Sequence, residues 1–143
     1  MTGNITLTMI KPLAFRNNSS GNILSRITDA GFWIVAAKTM QLSVPQAQKF
    51  YEVHKDRPFY KNLVESMTSG PIVVAMLEKE NAIDDYRTLI GKTNPAEAAE
   101  GTIRRDFGTD IEANAVHGSD SDENAAIECD FFFPKSERFH RPG

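Results

Sequence analysis

A single cysteine, Cys129, stands in this 143-residue chain, which excludes an intrachain disulfide and fits a reducing, cytoplasmic setting. Long apolar runs are missing too. No window approaches the roughly 18 residues of a membrane helix, and Met1 to Lys11 has no basic stretch leading into an apolar one. Neither a signal peptide nor a membrane span is expected. Positive charge is in short supply: 16 Lys and Arg against 19 Asp and Glu leave a net −3, so no global field favours nucleic acid or a membrane surface. Local cations can still converge on an anionic ligand. Glycine-rich phosphate loops are absent, in both the Walker and the dinucleotide pattern, and no Cys-x-x-Cys or His-x-x-x-His pair offers a metal site. Any phosphate site must therefore be built from side chains rather than from a backbone nest.

What is present is a balance of 41 % apolar and 24 % charged residues, typical of a folded chain. The length suits one domain over residues 1–143, burying about two-thirds of its unfolded surface. Ile5 to Ile10 alternates and reads as a strand that Pro12 stops, with Lys11 at its end. Ile23, Leu24 and Ile27 have helical spacing before Gly31, and Phe32 to Met40 is rich in β-formers. Ser43-Val44-Pro45-Gln46 reads as a capping box opening a helix to about His54, and Phe59 to Met67 as a second helix. Ile72 to Leu77 is a continuous apolar run, as in a strand covered on both faces. Asn81 opens a helix to about Ile90, and Asn94-Pro95-Ala96-Glu97 another. Asp106 to Asn114 reads as loop, Ser121 to Glu128 as a short helix, Asp130 to Phe133 as a last strand, and residues 134–143 as an extended polar tail. The order is a split βαβ plan: a four-stranded, mostly antiparallel sheet with helices packed on it.

The densest polar segment is Asn114 to Glu123, with His117 followed by Gly118, Ser119 and Asp120. Glycine permits close approach of a ligand, and a hydroxyl and a carboxylate can fix an imidazole's tautomer. The same segment also fits a solvated loop before a helix. His54 sits in a highly charged turn, and His140 in the tail. Lys11, Arg87, Arg104 and Arg105 are scattered along the chain, though arginine and lysine both suit phosphate. Phe59 and Leu63, at i and i+4, share a helix face.

Several stretches in order carry a resemblance: Ile10-Lys11-Pro12, His54-Lys55-Asp56-Arg57-Pro58-Phe59, Met67-Thr68-Ser69-Gly70-Pro71, Gly91-Lys92-Thr93-Asn94-Pro95-Ala96, Gly101-Thr102-Ile103-Arg104, and Asn114 through Ser121. Over about residues 4 to 133 the chain resembles the nucleoside diphosphate kinase family. The resemblance implies a ferredoxin-like βαββαβ sandwich and a phosphotransferase that moves the γ-phosphoryl group from a nucleoside triphosphate such as ATP to a diphosphate such as GDP. It implies His117 as the nucleophile, Glu128 and Ser119 as the residues that position it, and Lys11, Tyr51, Arg87, Thr93 and Arg104 as the phosphate-binding set. Asn114 and Lys11 match contacts to the ribose hydroxyl, and Phe59 and Leu63 an apolar lip for the base, which implies a site that hardly reads base identity. Mg²⁺ is implied on the nucleotide phosphates, with little protein ligation and no metal motif, and assembly as a hexamer or tetramer with contacts through Asn94 to Arg105.

The chain departs from the family pattern at Leu13-Ala14, where Asp-Gly or Asn-Ala is usual, and in the polar stretch Phe15 to Ser20. Two other readings compete. A non-catalytic scaffold on the same fold would be expected to have lost His117 or several cations, and all are present. An RNA-binding domain would need basic balance and aromatic residues on its strands, which are lacking.

Overall fold

The computed structural model describes residues 3–142; residues 1, 2 and 143 of the expected span lie outside the described residues. Strand β1 (Ile5–Ile10) forms as its alternation requires, with five of its six residues buried. Pro12 ends the strand but does not lead into coil. It opens a short helix not expected from the sequence, α1 (Pro12–Arg16), with Lys11 at its N-cap. Proline suits that position because the first-turn N–H has no helical partner.

Helix α2 (Ser20–Asp29) buries Ile23 and Ile27, and Gly31 follows with φ +96, a conformation most side chains disfavour. Strand β2 (Trp33–Met40) comes next. Helix α3 (Val44–Phe50) opens on the expected capping box, with the Gln46 N–H donating to Ser43 Oγ at 3.2 Å and the Ser43 N–H to Gln46 Oε1 at 2.9 Å. It is shorter than expected and gives way to one 3₁₀ turn at Glu52–His54. Helix α4 (Tyr60–Met67) and strand β3 (Ile72–Glu78) follow. Asn81 stands before helix α5 (Ala82–Ile90) in a left-handed conformation, and its side chain bonds Asp85 rather than capping the backbone. The helix expected at Asn94 is only a 3₁₀ turn (Pro95–Glu97), capped by Asn94, with α6 (Ile103–Phe107) beyond it.

The last third corrects the sequence reading. The fourth strand is not Asp130 to Phe133. It is β4 (Val116–Gly118), three residues that include His117, and residues 130–132 instead finish helix α7 (Asp122–Phe132). The run Phe131-Phe132-Phe133 has high β-propensity, but Ala125, Cys129 and Phe132 fall at helical spacing and are buried on one stripe. Burial of that stripe outweighs local preference.

The sheet order is β2-β3-β1-β4, and every neighbouring pair is antiparallel. This is the expected ferredoxin-like α+β architecture. Core residues lie on both faces. Leu7, Met9, Val74 and Met76 pack with Ala47 of α3, Met67 of α4 and Cys129 of α7. Ile10, Ala75 and Leu77 pack with Ile23 of α2 and Tyr86 of α5. β4 lies at one edge, with Met9 opposite His117 and Thr8 opposite Gly118. Beyond a 3₁₀ turn at Lys135–Glu137 the tail lies on the other edge, where the Phe139 N–H donates to the Val35 carbonyl at 2.9 Å and Trp33 Nε1 to the Phe139 carbonyl at 2.8 Å.

Candidate active site

His117 is in the middle of β4, and its register with Met9 sends the imidazole to the sheet face that carries α7. There its Nε2 lies 2.8 Å from Glu128 Oε1. Ser119 Oγ donates to the same oxygen at 2.8 Å, and the Leu7 N–H donates to Ser119 Oγ at 3.0 Å. The carboxylate is held by a hydroxyl that the central strand itself holds. A carboxylate only accepts, so in the neutral ring the proton sits on Nε2 and the lone pair is left on Nδ1. Among the described residues no protein group bonds Nδ1. Phe50 packs edge-on to the ring, with centroids 5.6 Å apart and planes at 74°.

The chain enters β4 through a strained turn. Ala115 has φ +73, and the Val116 N–H donates across it to the Asn114 carbonyl at 2.9 Å, the pattern of a γ-turn. An alanine held there costs on the order of 1–3 kcal/mol. The turn carbonyl is fixed from the other side, since Ala115 O accepts from the Lys11 N–H at 2.8 Å.

Around this core the structure leaves polar atoms unpartnered. Lys11 is 8 % exposed, and no carboxylate lies within ion-pair distance of it among the described residues. Burial, then the Arg104 charge, lower its pKa to about 8, while Glu112 acts in the opposite direction. Tyr51 is buried with its hydroxyl unbonded, and burial, then Glu128, push the phenol up. Arg104 donates through Nη1 to the Gly91 carbonyl and through Nη2 to the Val116 carbonyl, both at 3.0 Å, but its buried Nε has no partner. Burial lowers the Arg104 pKa, Tyr86 raises it and Arg87 lowers it further. Asn114 donates to the Thr93 carbonyl at 3.1 Å, and its Oδ1 is a buried acceptor without a donor. Buried polar groups are nearly always satisfied, so the adjacent buried cations Lys11 and Arg104 and the unbonded Tyr51 hydroxyl suit an anionic ligand, and the Asn114 Oδ1 acceptor suits a hydroxyl donor.

A cavity of about 1030 Å³ opens beside β4. Arg87, Thr93 and Arg104 are in its wall with Gly118, the residue after His117. Lys11 reaches this group electrostatically through Arg104, and Asn114 through Thr93. Phe59 and Leu63 are not in the wall. Phe59 is 44 % exposed and pairs with the ring of His54 at 5.4 Å, while Leu63 packs against the core of the α7 face. Two residues went unnoticed in the sequence. Ile111, 56 % exposed, lines the cavity, and its only signal is that it is an isolated apolar residue in a polar loop. Phe50 touches the imidazole, and its only signal is adjacency to Tyr51.

Among the described residues no group of three or more His, Cys, Asp or Glu is placed to hold an ion, and the cavity's carboxylates are Glu97 and Asp120.

A family model described as nucleoside diphosphate kinase matches residues 4–138. A nucleoside diphosphate kinase of Flavobacterium psychrophilum is 61 % identical over 139 residues, covering 97 % of this chain and 100 % of that protein. One from Campylobacter lari is 58 % identical over 92 % of this chain and 96 % of that protein. Among solved structures, the Aquifex aeolicus nucleoside diphosphate kinase superposes with a TM-score of 0.93 at 44 % identity, covering 94 % of this chain and 98 % of that one. A halophilic nucleoside diphosphate kinase from Halobacterium salinarum in complex with CDP gives 0.93 at 33 % identity, over 99 % and 95 %. The match runs through both core faces and the strand that carries His117, and on that agreement of sequence with fold this chain belongs to the nucleoside diphosphate kinase family.

Proposed function

We propose that this phosphotransferase carries the γ-phosphoryl group on Nδ1 of His117 between a nucleoside triphosphate donor and a nucleoside diphosphate acceptor. The observation that carries the reading is the bond from Nε2–H to Glu128, which leaves the lone pair on the opposite nitrogen. In the first half-reaction Nδ1 attacks the γ-phosphorus, the new N–P bond forms as the bridging P–O bond breaks, and the diphosphate leaves with that bond's electron pair. In the second, a terminal phosphate oxygen of another diphosphate attacks the same phosphorus, and the N–P electrons return to Nδ1. Glu128, braced by Ser119, faces the positive charge that grows on the ring. Phosphoryl transfer asks mainly for in-line positioning and charge neutralisation. Lys11, Arg87 and Arg104 supply the cations, Tyr51 and Thr93 further hydroxyls, and Asn114 a partner for the sugar hydroxyl. In the cavity wall Ile111 offers only apolar contact to a base, and the exposed Phe59 ring and Leu63, outside that wall, are apolar as well. Mg²⁺ on the nucleotide, when bound, neutralises phosphate oxygens.

We place the enzyme in the cytoplasm, as its lone thiol suits a reducing compartment. Among the described residues no helix is long and apolar enough to cross a membrane. The test of the mechanism uses ATP labelled at the γ-phosphate with GDP as acceptor. Wild type becomes labelled and passes the label on, and His117→Ala does neither while still binding nucleotide. Arg87→Ala or Arg104→Ala, each losing one charged partner among several, falls by roughly ten- to two-hundredfold. Label on the His117→Ala protein at the wild-type level overturns the reading.

A further inference from the structure

The imidazole is positioned by Glu128 on one sheet face, but the backbone that carries it is held from the other face. Thr8, on β1 and 1 % exposed, donates through Oγ1 to the His117 carbonyl at 2.8 Å. The same oxygen lies 2.5 Å from the Tyr86 hydroxyl. Thr8 has one proton and spends it on the carbonyl, so Tyr86 is the donor in the second bond. The result is a directed chain, Tyr86 O–H to Thr8 O–H to His117 C=O, closed off from water because Tyr86 is wholly buried on α5. Burial also pushes the phenol far up, which keeps its proton in place. Successive hydroxyl bonds of this kind polarise one another in a low-dielectric interior.

The surroundings show why β4 needs such a hold. The strand has three residues, it is an edge strand, and it starts at the strained Ala115 turn. The preceding carbonyl, Val116 O, is tied by Arg104, which also faces the cavity. Gly118 makes room for the second tie. A Cβ there would lie 3.0 Å from Ile90 Cδ1 and 3.1 Å from Tyr86 Cδ2, so a side chain at 118 would crowd the Tyr86 ring. Tyr86 is fixed in turn by Phe32, ring centroids 5.4 Å apart and planes at 81°.

We propose that Thr8 and Tyr86 are positioning residues for phosphoryl transfer, their hydroxyls holding the His117 carbonyl so that Nδ1 stays in line with the γ-phosphorus. The proposal rests on the phosphohistidine reading above. A displacement of about 1 Å in a reacting group costs up to roughly a hundredfold in rate, so a small backbone shift is felt in the chemical step before it is felt in binding.

The test is the single-turnover rate at which γ-labelled ATP labels Thr8→Val, Thr8→Ser, Tyr86→Phe and the Thr8→Val/Tyr86→Phe double variant, with nucleotide affinity measured beside it. Thr8→Val keeps the shape and removes both bonds, and its labelling slows by roughly tenfold while affinity stays within about twofold. Thr8→Ser restores the rate to within roughly threefold, since it keeps the hydroxyl. Tyr86→Phe slows labelling by less than Thr8→Val does. The double variant is no slower than Thr8→Val alone, because Tyr86 acts only through Thr8. If Thr8→Val does not fold, Thr8→Ser and Tyr86→Phe decide the matter. A Thr8→Val protein labelled at the wild-type rate, a loss confined to affinity, failure of serine to restore the rate, or full additivity of the two changes overturns the proposal. Each of those outcomes leaves the phosphohistidine reading standing, which falls only if the His117→Ala protein is labelled.

Discussion

Lys11 stands at the start of α1 as a buried cation with Arg104 for a neighbour and no carboxylate paired to it. Burial, with the Arg104 charge beside it, lowers its pKa to about 8, against 10.5 for an ordinary lysine. The free folded protein therefore sheds this proton as pH rises through about 8, whereas the unfolded chain keeps it to about 10.5. Between those limits the unfolded state binds more protons, so this group makes stability rise with pH across the window. At neutral pH its burial costs on the order of 3 kcal/mol. Two outcomes follow. Affinity for nucleotide falls as pH rises through about 8, because the free enzyme loses a phosphate-binding charge. Lys11→Met abolishes most activity and yet stabilises the protein, by more at pH 7 than at pH 9.5. Urea denaturation at the two pH values checks this, and equal stabilisation at both, or destabilisation, sinks the account. The site gives up stability here for function, a familiar trade.

At the scale of elements, α7 decides the geometry of the site, because Glu128 reaches His117 from it. The helix starts at Ser121, whose Oγ accepts from the Asn124 N–H at 3.1 Å, with Asp122 and Glu123 in its first turn. Ser121→Ala removes the cap and costs about 1 kcal/mol, seen as a lower denaturation midpoint with fold and labelling site retained. An unchanged midpoint would falsify the capping role. The start of this helix was legible in the sequence because caps are local chemistry. Its end was not, since Phe131 and Phe132 carry β-propensity and only the packing of Cys129 and Phe132 under the sheet keeps the helix going. For the same reason β4 was hidden: three residues with a glycine give no period, and pairing with β1 alone defines them as strand. The longer strands and the Ser43 box were legible, being set by alternation and by hydrogen bonds within four residues. His117, Glu128 and Ser119 meet within hydrogen-bond distance. The Thr8–Tyr86 contact spans 78 residues and left no local pattern to read.

At the scale of the whole molecule, the surface holds the remaining question. The tail ties down the β2 edge through Phe139, which bonds Val35 and Trp33, and reaches on to the end of β3, where His140 lies 2.9 Å from Glu78 and the Arg141 N–H donates to Glu78 at 3.0 Å. Burial raises the Glu78 pKa, but these tail contacts outweigh it and hold the carboxyl below the usual range. Such a covering blunts an edge strand. Elsewhere Val53, Ile127 and Phe131 are exposed. The segment from 94 to 105 is braced by arginines, as Arg105 donates to the Ala96 carbonyl at 3.1 Å and Arg26 of α2 to the Gly101 carbonyl at 2.9 Å. A rigid loop with exposed residues suits a subunit contact, and closed symmetry is the usual way such contacts are satisfied. We therefore propose a homo-oligomer, hexamer before tetramer. Light scattering at micromolar concentration then gives a mass of six, or else four, times 15.9 kDa. A mass of 15.9 kDa shows the chain alone in solution and refutes the assembly. The His117–Glu128–Ser119 cluster lies within one chain, so that result leaves the chemistry proposed for it intact.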